Sequence, residues 1–293
     1  MKKIALFGKN FSEDFNGNIR YLFEIFKKYN AELTIYSPFA LFLSQNADIS
    51  TGEYNIFNDH SDLPLDTDYL FSFGGDGTFL ETLKIIRDKK IPVIGINTGR
   101  LGFLANISRE EICISVEDLF QGNYTLEERT LIRLNSMPDV FDKFCIALNE
   151  ITIHKYGAGM ISVYTELDGE FLNTYWADGL IISTPTGSTA YSMSVGGPIV
   201  MPEARNFIIS PVAPHNLSVR PIIIPDNKTI RLKVKSRADR FLVSIDSRTI
   251  EVENDVILTI DKAPYNLKLV KFNGANFYNT LRNKLMWGID KRN

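Results

Sequence analysis

The chain has 293 residues, of which 44% are hydrophobic and 23% charged, and its net charge is −3. This length can form two domains with separate cores, and the composition is ordinary for a globular protein. The negative net charge predicts no general attraction to nucleic acid or to an anionic membrane, and no apolar run approaches the ~18 residues of a membrane span.

The first hundred residues alternate strand and helix signals. Strands are predicted at residues 4–7, 33–36, 69–73 and 93–96, and helices at residues 19–28, 39–43 and 78–87. In the first of these helices, Ile19, Leu22 and Phe26 fall on one face. Strands and helices that alternate at this spacing predict a doubly wound parallel α/β domain, in which ligands bind at the carboxyl ends of the strands.

Beyond about residue 125 the chain becomes rich in strand signals. Strands are predicted at residues 131–134, 144–153, 161–167, 180–183, 207–212, 229–235, 241–245 and 256–260. Asp168-Gly169 between two alternating runs indicates a hairpin. We therefore expect an all-β, sandwich-like second domain. Near the end, Phe277, Leu281 and Leu285 are spaced as one face of a helix, which we expect to return to the first domain. The predicted boundaries are 1–124, 125–265 and 266–293.

The positions of the cysteines and histidines indicate neither a redox pair nor a metal site. Cys113 and Cys145 lie far apart and form no C-x-x-C unit, which is typical of thiols in a reducing compartment. The three histidines are scattered along the sequence and do not have the spacing of a metal site. We therefore expect a cytoplasmic protein without a metal centre of its own.

The most informative stretch follows the third predicted strand, where residues 74–77 read Gly-Gly-Asp-Gly at the start of a helix. Glycines let the backbone approach a ligand closely, and a helix start offers unpaired N–H groups and partial positive charge to a phosphate. A tight turn would explain a lone Gly-x-Gly, but three glycines around Asp76 favour a phosphate site. No lysine follows in Walker position, and Leu80 replaces the third glycine of G-x-G-x-x-G.

Three further segments have compositions that suit ligand binding. Residues 97–104 form a Gly-rich loop directly after a predicted strand. Asn149 and Glu150 place an amide and a carboxylate together on a strand. Residues 178–198 are rich in small and hydroxyl side chains, which can surround a polar ligand. A connecting loop rich in Ser and Thr would explain this last segment equally well on its own.

These segments carry a resemblance to a known family. The matching stretches are residues 74–80, 97–104, 148–150, 178–198, 210–217 and 220–221. The Gly-Gly-Asp-Gly signature alone is shared by a superfamily that includes diacylglycerol kinases and 6-phosphofructokinases. Asn149-Glu150 together with Thr-Pro-Thr-Gly-Ser-Thr-Ala-Tyr-Ser at residues 184–192 is more specific. By these motifs the chain resembles the NAD kinases over almost its whole length.

The resemblance implies transfer of the γ-phosphoryl group of ATP to the 2′-hydroxyl of the adenosine ribose of NAD, giving NADP. Asp76 is then the catalytic residue, a base that accepts the hydroxyl proton. Mg²⁺ or another divalent cation is expected on the nucleotide rather than in a protein metal site. The implied substrate-binding residues are Gly75, Asp76, Gly77, Asn149, Glu150, Asp178, Thr186, Thr189, Ala190, Tyr191, Ser192, Met193 and Ser194.

The resemblance also divides these residues by role. Asp76 and Gly77 are expected at the acceptor ribose and the adjacent phosphates. Asn149 and Glu150 are expected at ribose hydroxyls and adenine, and Tyr191 would offer an aromatic face to the dinucleotide.

Assembly and specificity are further implications of the resemblance. A homotetramer built through the β domains is expected, with Asp178 reaching the nicotinamide end of a neighbour's dinucleotide. The family links the position of Trp176 to discrimination between NAD and NADH, and many relatives carry a basic or small residue there, so both acceptors stay open. ATP and polyphosphate stay open as donors. Asp246-Ser247 replaces the family's usual Asp-Gly, and no role is assigned to it.

Two alternative functions fit part of the sequence. A lipid or sugar kinase could use the same glycine loop, but it would need an apolar or sugar-shaped acceptor pocket in the second domain. A catalytically silent dinucleotide-binding sensor could keep the pocket without turnover.

Overall fold

The computed structural model describes residues 1–99, 102–137, 139, 144–274 and 276–286, which belong to two units. The first unit comprises Met1–Glu128 and Leu267–Asn293, and the second comprises Arg129–Asn266. Each unit has a hydrophobic core of its own. No helix within the described ranges is long and apolar enough to cross a membrane.

The amino-terminal part of the first unit alternates strands and helices, as predicted. Its strands are β1 (Lys3–Gly8), β2 (Glu32–Tyr36), β3 (Asn55–Phe57), β4 (Tyr69–Gly74), β5 (Val93–Asn97) and β6 (Tyr124–Arg129). Its helices are α1 (Asn16–Lys28), α2 (Ser37–Asn46), α3 (Asp76–Ile86) and α4 (Ile112–Gln121), with a 3₁₀ turn at Glu13–Phe15. Helix α4 and strand β6 were not predicted from the sequence. Helix α4 ends at Gly122, whose φ of 83° closes the last turn without a side-chain clash.

The second unit consists almost entirely of strands. They are β7 (Ile132–Met137), β8 (Ile146–Ala147), β9 (Glu150–Lys155), β10 (Ile161–Leu167), β11 (Glu170–Ala177), β12 (Gly179–Ser183), β13 (Asn206–Val212), β14 (Ile222–Pro225), β15 (Ile230–Ser236), β16 (Arg240–Ile245), β17 (Arg248–Glu253) and β18 (Ile257–Lys262). A 3₁₀ turn at Thr186–Thr189 and the short helix α5 (Tyr191–Ser194) follow β12. The chain then returns to the first unit as β19 (Leu267–Phe272) and α6 (Phe277–Leu285).

The sheet of the first unit has the strand order β3-β2-β1-β4-β5-β19-β6. Strands β1 and β4 run parallel, as do β1 and β2 and also β4 and β5. Leu6 and Phe7 point to opposite faces and are both buried, so both faces are covered. The order reverses between β1 and β4, which places a ligand crevice at the carboxyl ends of these two strands. The prediction of a doubly wound parallel sheet is confirmed.

Two six-stranded antiparallel sheets form the second unit, with orders β11-β10-β15-β18-β7-β8 and β14-β13-β12-β9-β16-β17. Their inner faces share one core, to which Val163 and Leu232 contribute from the first sheet and Ile153 and Val243 from the second. The prediction of a sandwich-like β region is confirmed. Asp168 and Gly169 both have positive φ and close the hairpin between β10 and β11, as their sequence predicts.

One predicted strand is interrupted in the structure. The sequence predicts a continuous strand over residues 144–153, but the chain forms β8 and β9 with a break at Leu148 and Asn149. The physical reason is that the N–H groups of Leu148 and Asn149 donate to the side chain of Asp246, at 2.9 Å each. That break belongs to the candidate site of the second unit.

Candidate functional site

The Gly-Gly-Asp-Gly loop joins β4 to α3 at the point where the strand order reverses. Gly74 has a φ of 155°, and a Cβ there would lie 2.6 Å from Thr78 Cβ, so this position requires glycine for the turn itself. A Cβ on Gly75 or Gly77 would instead have no neighbour within 4 Å. Packing therefore does not explain these two glycines, whereas close approach of a ligand to the backbone would.

Asp76 is the first residue of α3, and backbone N–H groups enclose its carboxylate. Oδ2 accepts a hydrogen bond from the Phe103 N–H at 2.9 Å. Oδ1 accepts from the N–H groups of Leu104 and Ala105, both at 3.0 Å. The predicted Gly-rich loop at residues 97–104 therefore does meet the first loop, although Arg100 and Leu101 lie outside the described residues.

A fourth contact reaches Asp76 from the carboxyl-terminal helix α6. Lys284 Nζ lies 3.4 Å from Asp76 Oδ2 and 4.4 Å from the centre of the Phe103 ring. The Phe277 ring, at the start of the helix, lies 6.3 Å from the same phenylalanine. Asn276 caps the helix by accepting from the Asn279 N–H. The helix thus contacts both the acidic residue and the loop that encloses it.

In the second unit, Asp246 organises the segment that carries Asn149 and Glu150. Its carboxylate accepts hydrogen bonds from the N–H groups of Leu148, Asn149 and Glu150 at 2.9, 2.9 and 3.2 Å. Burial of this carboxylate raises its pKa, and the three N–H donors and Arg248 oppose the rise. Asp246 itself has a φ of 50°, in the left-handed region of the turn between β16 and β17.

Glu150 is 8% exposed, and its Oε2 atom has no hydrogen-bond partner among the described residues. Burial, with a smaller contribution from the negative charge of Asp246, raises the pKa of Glu150 to about 8, and the Tyr191 N–H acts in the opposite direction. At neutral pH the side chain is therefore mostly a neutral carboxylic acid. In that form it can both donate and accept a hydrogen bond.

The hydroxyl-rich segment packs directly on this break between β8 and β9. Thr184 donates its hydroxyl to the Leu148 carbonyl at 2.5 Å and its N–H to the Asn149 carbonyl at 2.9 Å. A Cβ on Gly187 would lie 2.6 Å from Ser183 Oγ and would overlap the Asn149 carbonyl. The segment thus requires a glycine here because two backbone stretches touch.

The predicted pocket residues after β12 differ in exposure. Thr186 and Ser192 are buried, and Ser192 Oγ lies 3.1 Å from Ser210 Oγ, facing the interior of the unit. Tyr191 is exposed, and its ring stacks on His154 with the centroids 5.6 Å apart and the planes at 10°. The remaining predicted residues are Thr189, Ala190 and Met193, which are half-buried, and Ser194, which is exposed.

His154, on β9, stacks against one face of the Tyr191 ring. Burial lowers the pKa of His154, and the nearby charge of Asp178 opposes this. Asp178 forms an ion pair with Lys155 at 2.7 Å. Trp176, which departs from the family pattern, is 48% exposed on β11.

Three residues at the two candidate sites were missed by sequence reasoning. No role is predicted for Asp246 from the sequence, because its neighbour Ser247 departs from the family pattern. Lys284 and His154 gave no signal, since the contacts of Lys284 span 208 positions and those of His154 depend on strand pairing. Within the described ranges, no group of three or more His, Cys, Asp or Glu side chains could hold a metal ion.

Comparison with known proteins gives matches along most of the chain. A family model described as the ATP-NAD kinase N-terminal domain matches residues 53–124, and one described as the ATP-NAD kinase C-terminal domain matches residues 148–272. An NAD kinase of Flavobacterium psychrophilum is 46% identical over 99% of this chain and 100% of its own length. An NAD kinase of Cytophaga hutchinsonii is 45% identical over 99% of both chains.

Solved structures agree with these matches. The crystal structure of an NAD kinase from Archaeoglobus fulgidus in complex with ATP is 26% identical and has a TM-score of 0.73, covering 97% of this chain and 98% of that one. Yeast NADH kinase complexed with NADH has a TM-score of 0.86 over 99% of this chain and 89% of its own. At 20% identity, the yeast enzyme supports the fold alone.

Proposed function

The chain belongs to the NAD kinase family, and from that premise we propose that it transfers the γ-phosphoryl group of ATP to the 2′-hydroxyl of the adenosine ribose of NAD. Two family models cover most of the chain, and full-length relatives 40–46% identical are NAD kinases. The protein is therefore a phosphotransferase of this family. The assignment of individual residues to steps of the reaction is our proposal.

The observation that best supports a role for Asp76 is its place in the fold. It stands at the carboxyl edge of the parallel sheet, at the start of a helix, in a loop with two glycines that packing does not require. A sugar hydroxyl is a weak nucleophile, so a carboxylate within hydrogen-bond reach would accept its proton as phosphorus is attacked. The free N–H groups at the start of α3 would bind phosphate oxygens. We assign the base to Asp76 and phosphate contacts to Gly75 and Gly77.

For the dinucleotide we propose Asn149 and Glu150 as the polar contacts. A neutral Glu150 with an unpartnered oxygen can accept a hydrogen bond from a ribose hydroxyl or the adenine amine and donate one in return. Exposed Tyr191, supported from below by His154, would stack on a planar ring. We place Thr186, Thr189, Ala190, Ser192, Met193 and Ser194 in the wall of the same pocket, with the buried Ser192 hydroxyl holding the wall in position.

Mg²⁺ or another divalent cation fits this site as a partner of the nucleotide. The described residues offer no carboxylate or histidine cluster that would hold the ion alone, so phosphate oxygens would supply most of its ligands. When bound, the cation neutralises charge on the transferring phosphoryl group. The part played by this chain is to orient the phosphates with backbone N–H groups and to hold the base.

A homotetramer remains a proposal for the assembly. Large apolar side chains are exposed on neighbouring parts of the second unit, among them Trp176, Leu217, Ile222 and Ile223. The His215 N–H donates to the Trp176 carbonyl, which ties the segment before β14 to β11. Exposed apolar groups of this kind are typical of subunit interfaces. We propose that Asp178 contributes to the site of a neighbouring subunit.

We also propose that the enzyme is cytoplasmic, because two distant cysteines are typical of a reducing compartment.

A coupled assay for NADP formation tests the function. Purified protein is supplied with NAD or NADH as acceptor and with Mg²⁺ plus ATP or polyphosphate as donor, and diacylglycerol and hexoses are run in parallel. We expect NADP or NADPH formation from at least one acceptor. Dinucleotide binding without turnover on any donor would favour a sensor, and phosphorylation of the lipid or sugar alone would favour the other kinases of the superfamily.

A further inference from the structure

All the hydrogen-bond acceptor positions of the Asp76 carboxylate are occupied in this structure. A carboxylate offers about four acceptor positions. Among the residues that the structure describes, four groups occupy them: the N–H groups of Phe103, Leu104 and Ala105, and the ammonium of Lys284. A substrate hydroxyl that approaches Asp76 must therefore replace one of these four.

Lys284 is the group that can leave most easily. The three N–H donors belong to one backbone segment and lie 2.9–3.0 Å from the carboxylate, whereas Lys284 Nζ lies 3.4 Å away at the end of a flexible side chain. That side chain is 32% exposed and can swing without any movement of α6. Its second contact, over the Phe103 ring, is a cation–π contact that tolerates movement.

The glycine loop also lacks the lysine that phosphate loops often carry. Backbone N–H groups and the helix start give only partial positive charge. Lys284 brings a full positive charge within 3.4 Å of the first residue of α3. A triphosphate bound at this loop would attract that ammonium more strongly than the single carboxylate does, because it carries more negative charge.

We propose that Lys284 is a positioning residue of the kinase site. Its ammonium donates to Asp76 Oδ2 in the resting enzyme and donates instead to a phosphate oxygen of ATP when the nucleotide binds. The exchange frees Oδ2 for the acceptor hydroxyl only when the donor is present. No covalent bond changes in this step. The inference rests on the proposed function for the placement of ATP, but its binding test does not depend on turnover.

The test compares Lys284→Ala, Lys284→Arg and the matched control Arg282→Ala, which removes a neighbouring exposed cation from the same helix. Steady-state kinetics give KM for MgATP, KM for NAD and kcat, and calorimetry gives the Kd for MgATP. A lost charge-assisted hydrogen bond predicts that Lys284→Ala raises both KM and Kd for MgATP about tenfold. We expect KM for NAD not to rise, Lys284→Arg to recover most of the ATP affinity, and Arg282→Ala to match the parent protein.

Two results would overturn the proposal. One is an unchanged Kd for MgATP in Lys284→Ala. The other is an equal loss in Lys284→Ala and Lys284→Arg together with a lower melting temperature, which indicates a purely structural contact. If the parent protein binds MgATP but forms no NADP, the proposed function fails, and the three Kd values still decide the role of Lys284.

Discussion

A Cβ built on Gly102 would lie 2.6 Å from Asp76 Cγ, so the loop and the acidic residue fit together only because residue 102 has no side chain. The three N–H groups that hold Asp76 follow directly after this glycine. The position of the proposed base therefore depends on a residue that itself contributes no side-chain chemistry.

Gly102→Ala should impair the enzyme by pushing Asp76 from its place. Overpacking of this kind costs about 1–3 kcal/mol of stability, and a displacement of the base by about 1 Å can lower turnover about 100-fold. Gly52→Ala is the control, because a Cβ there has no neighbour within 4 Å and the residue lies outside the candidate loops. Turnover numbers and melting temperatures of both variants check this. Equal behaviour of the two variants would show that Asp76 adapts to the added methyl group.

Asp76→Asn should lose most turnover, by about 10²–10⁴-fold, because the amide cannot accept the hydroxyl proton. The structure adds an effect on stability. One oxygen that accepts backbone N–H groups becomes an NH₂ donor, and losing a hydrogen bond to a charged group at this half-buried position costs about 1–3 kcal/mol. We therefore expect a lower melting temperature as well as a lower kcat. A near-normal kcat in the purified variant would remove Asp76 from the mechanism.

Glu150→Gln should change how stability depends on pH. The pKa of Glu150 is raised to about 8 from 4.5, so the folded protein holds a proton that the unfolded chain releases. Stability from this residue is present at low pH and is lost as pH rises towards 8. Glutamine does not titrate. The free energy of unfolding of the variant relative to the parent should therefore grow by roughly 1.4 kcal/mol per pH unit between about pH 5.5 and 7.5.

Denaturant unfolding of both proteins at several pH values in that range gives this slope directly. A constant difference between the parent and Glu150→Gln would mean that Glu150 ionises near its ordinary value, and the neutral acid proposed for the dinucleotide pocket would be wrong.

Much of the fold could be predicted because its signals are local. The helical face of Ile19, Leu22 and Phe26 and the turn at Asp168-Gly169 are fixed by residues close in sequence. Strand β19 was not predicted, because its position in the sheet depends on β5, which lies more than 150 residues earlier. Its sequence alone does not show which sheet it joins.

The same contrast between local signals and long-range contacts applies to the residues of the candidate site. The positions of Asp76, Asn149 and Glu150 follow from recognisable motifs. The groups that hold them do not, because Asp246 reaches Asn149 and Lys284 reaches Asp76 only through the tertiary fold. The break between β8 and β9 was missed for this reason, since the local sequence continues to favour a strand until Asp246 takes the N–H groups.

Leu281→Ala should destabilise the first unit. Leu281 is 2% exposed, and removing a buried leucine side chain typically costs about 2–5 kcal/mol. Tyr278→Ala is the control on the same helix, because Tyr278 is 57% exposed. Thermal unfolding should show a clear loss for Leu281→Ala and little change for Tyr278→Ala. Similar melting temperatures would mean that α6 contributes little to the stability of the unit.

Mixing two inactive variants tests the shared site. If Asp178 serves a neighbour, Asp76→Asn subunits mixed with Asp178→Ala subunits should regain part of the activity through mixed interfaces. The alternative is that Asp178 acts only inside its own subunit, where it pairs with Lys155 at 2.7 Å. No recovery despite verified subunit exchange would support that alternative. Specific activity should also fall on dilution if assembly and activity are coupled.

The strand order β5-β19-β6 has a consequence for synthesis on the ribosome. Strand β6 lies at the sheet edge with β19 as its neighbour, so it has no strand to pair with until residues 267–272 have been translated. The first unit cannot complete its sheet while the nascent chain still ends inside the second. The edge of β5 that pairs with β19 stays open until then, so folding of the first unit depends on the second unit being translated without a long pause.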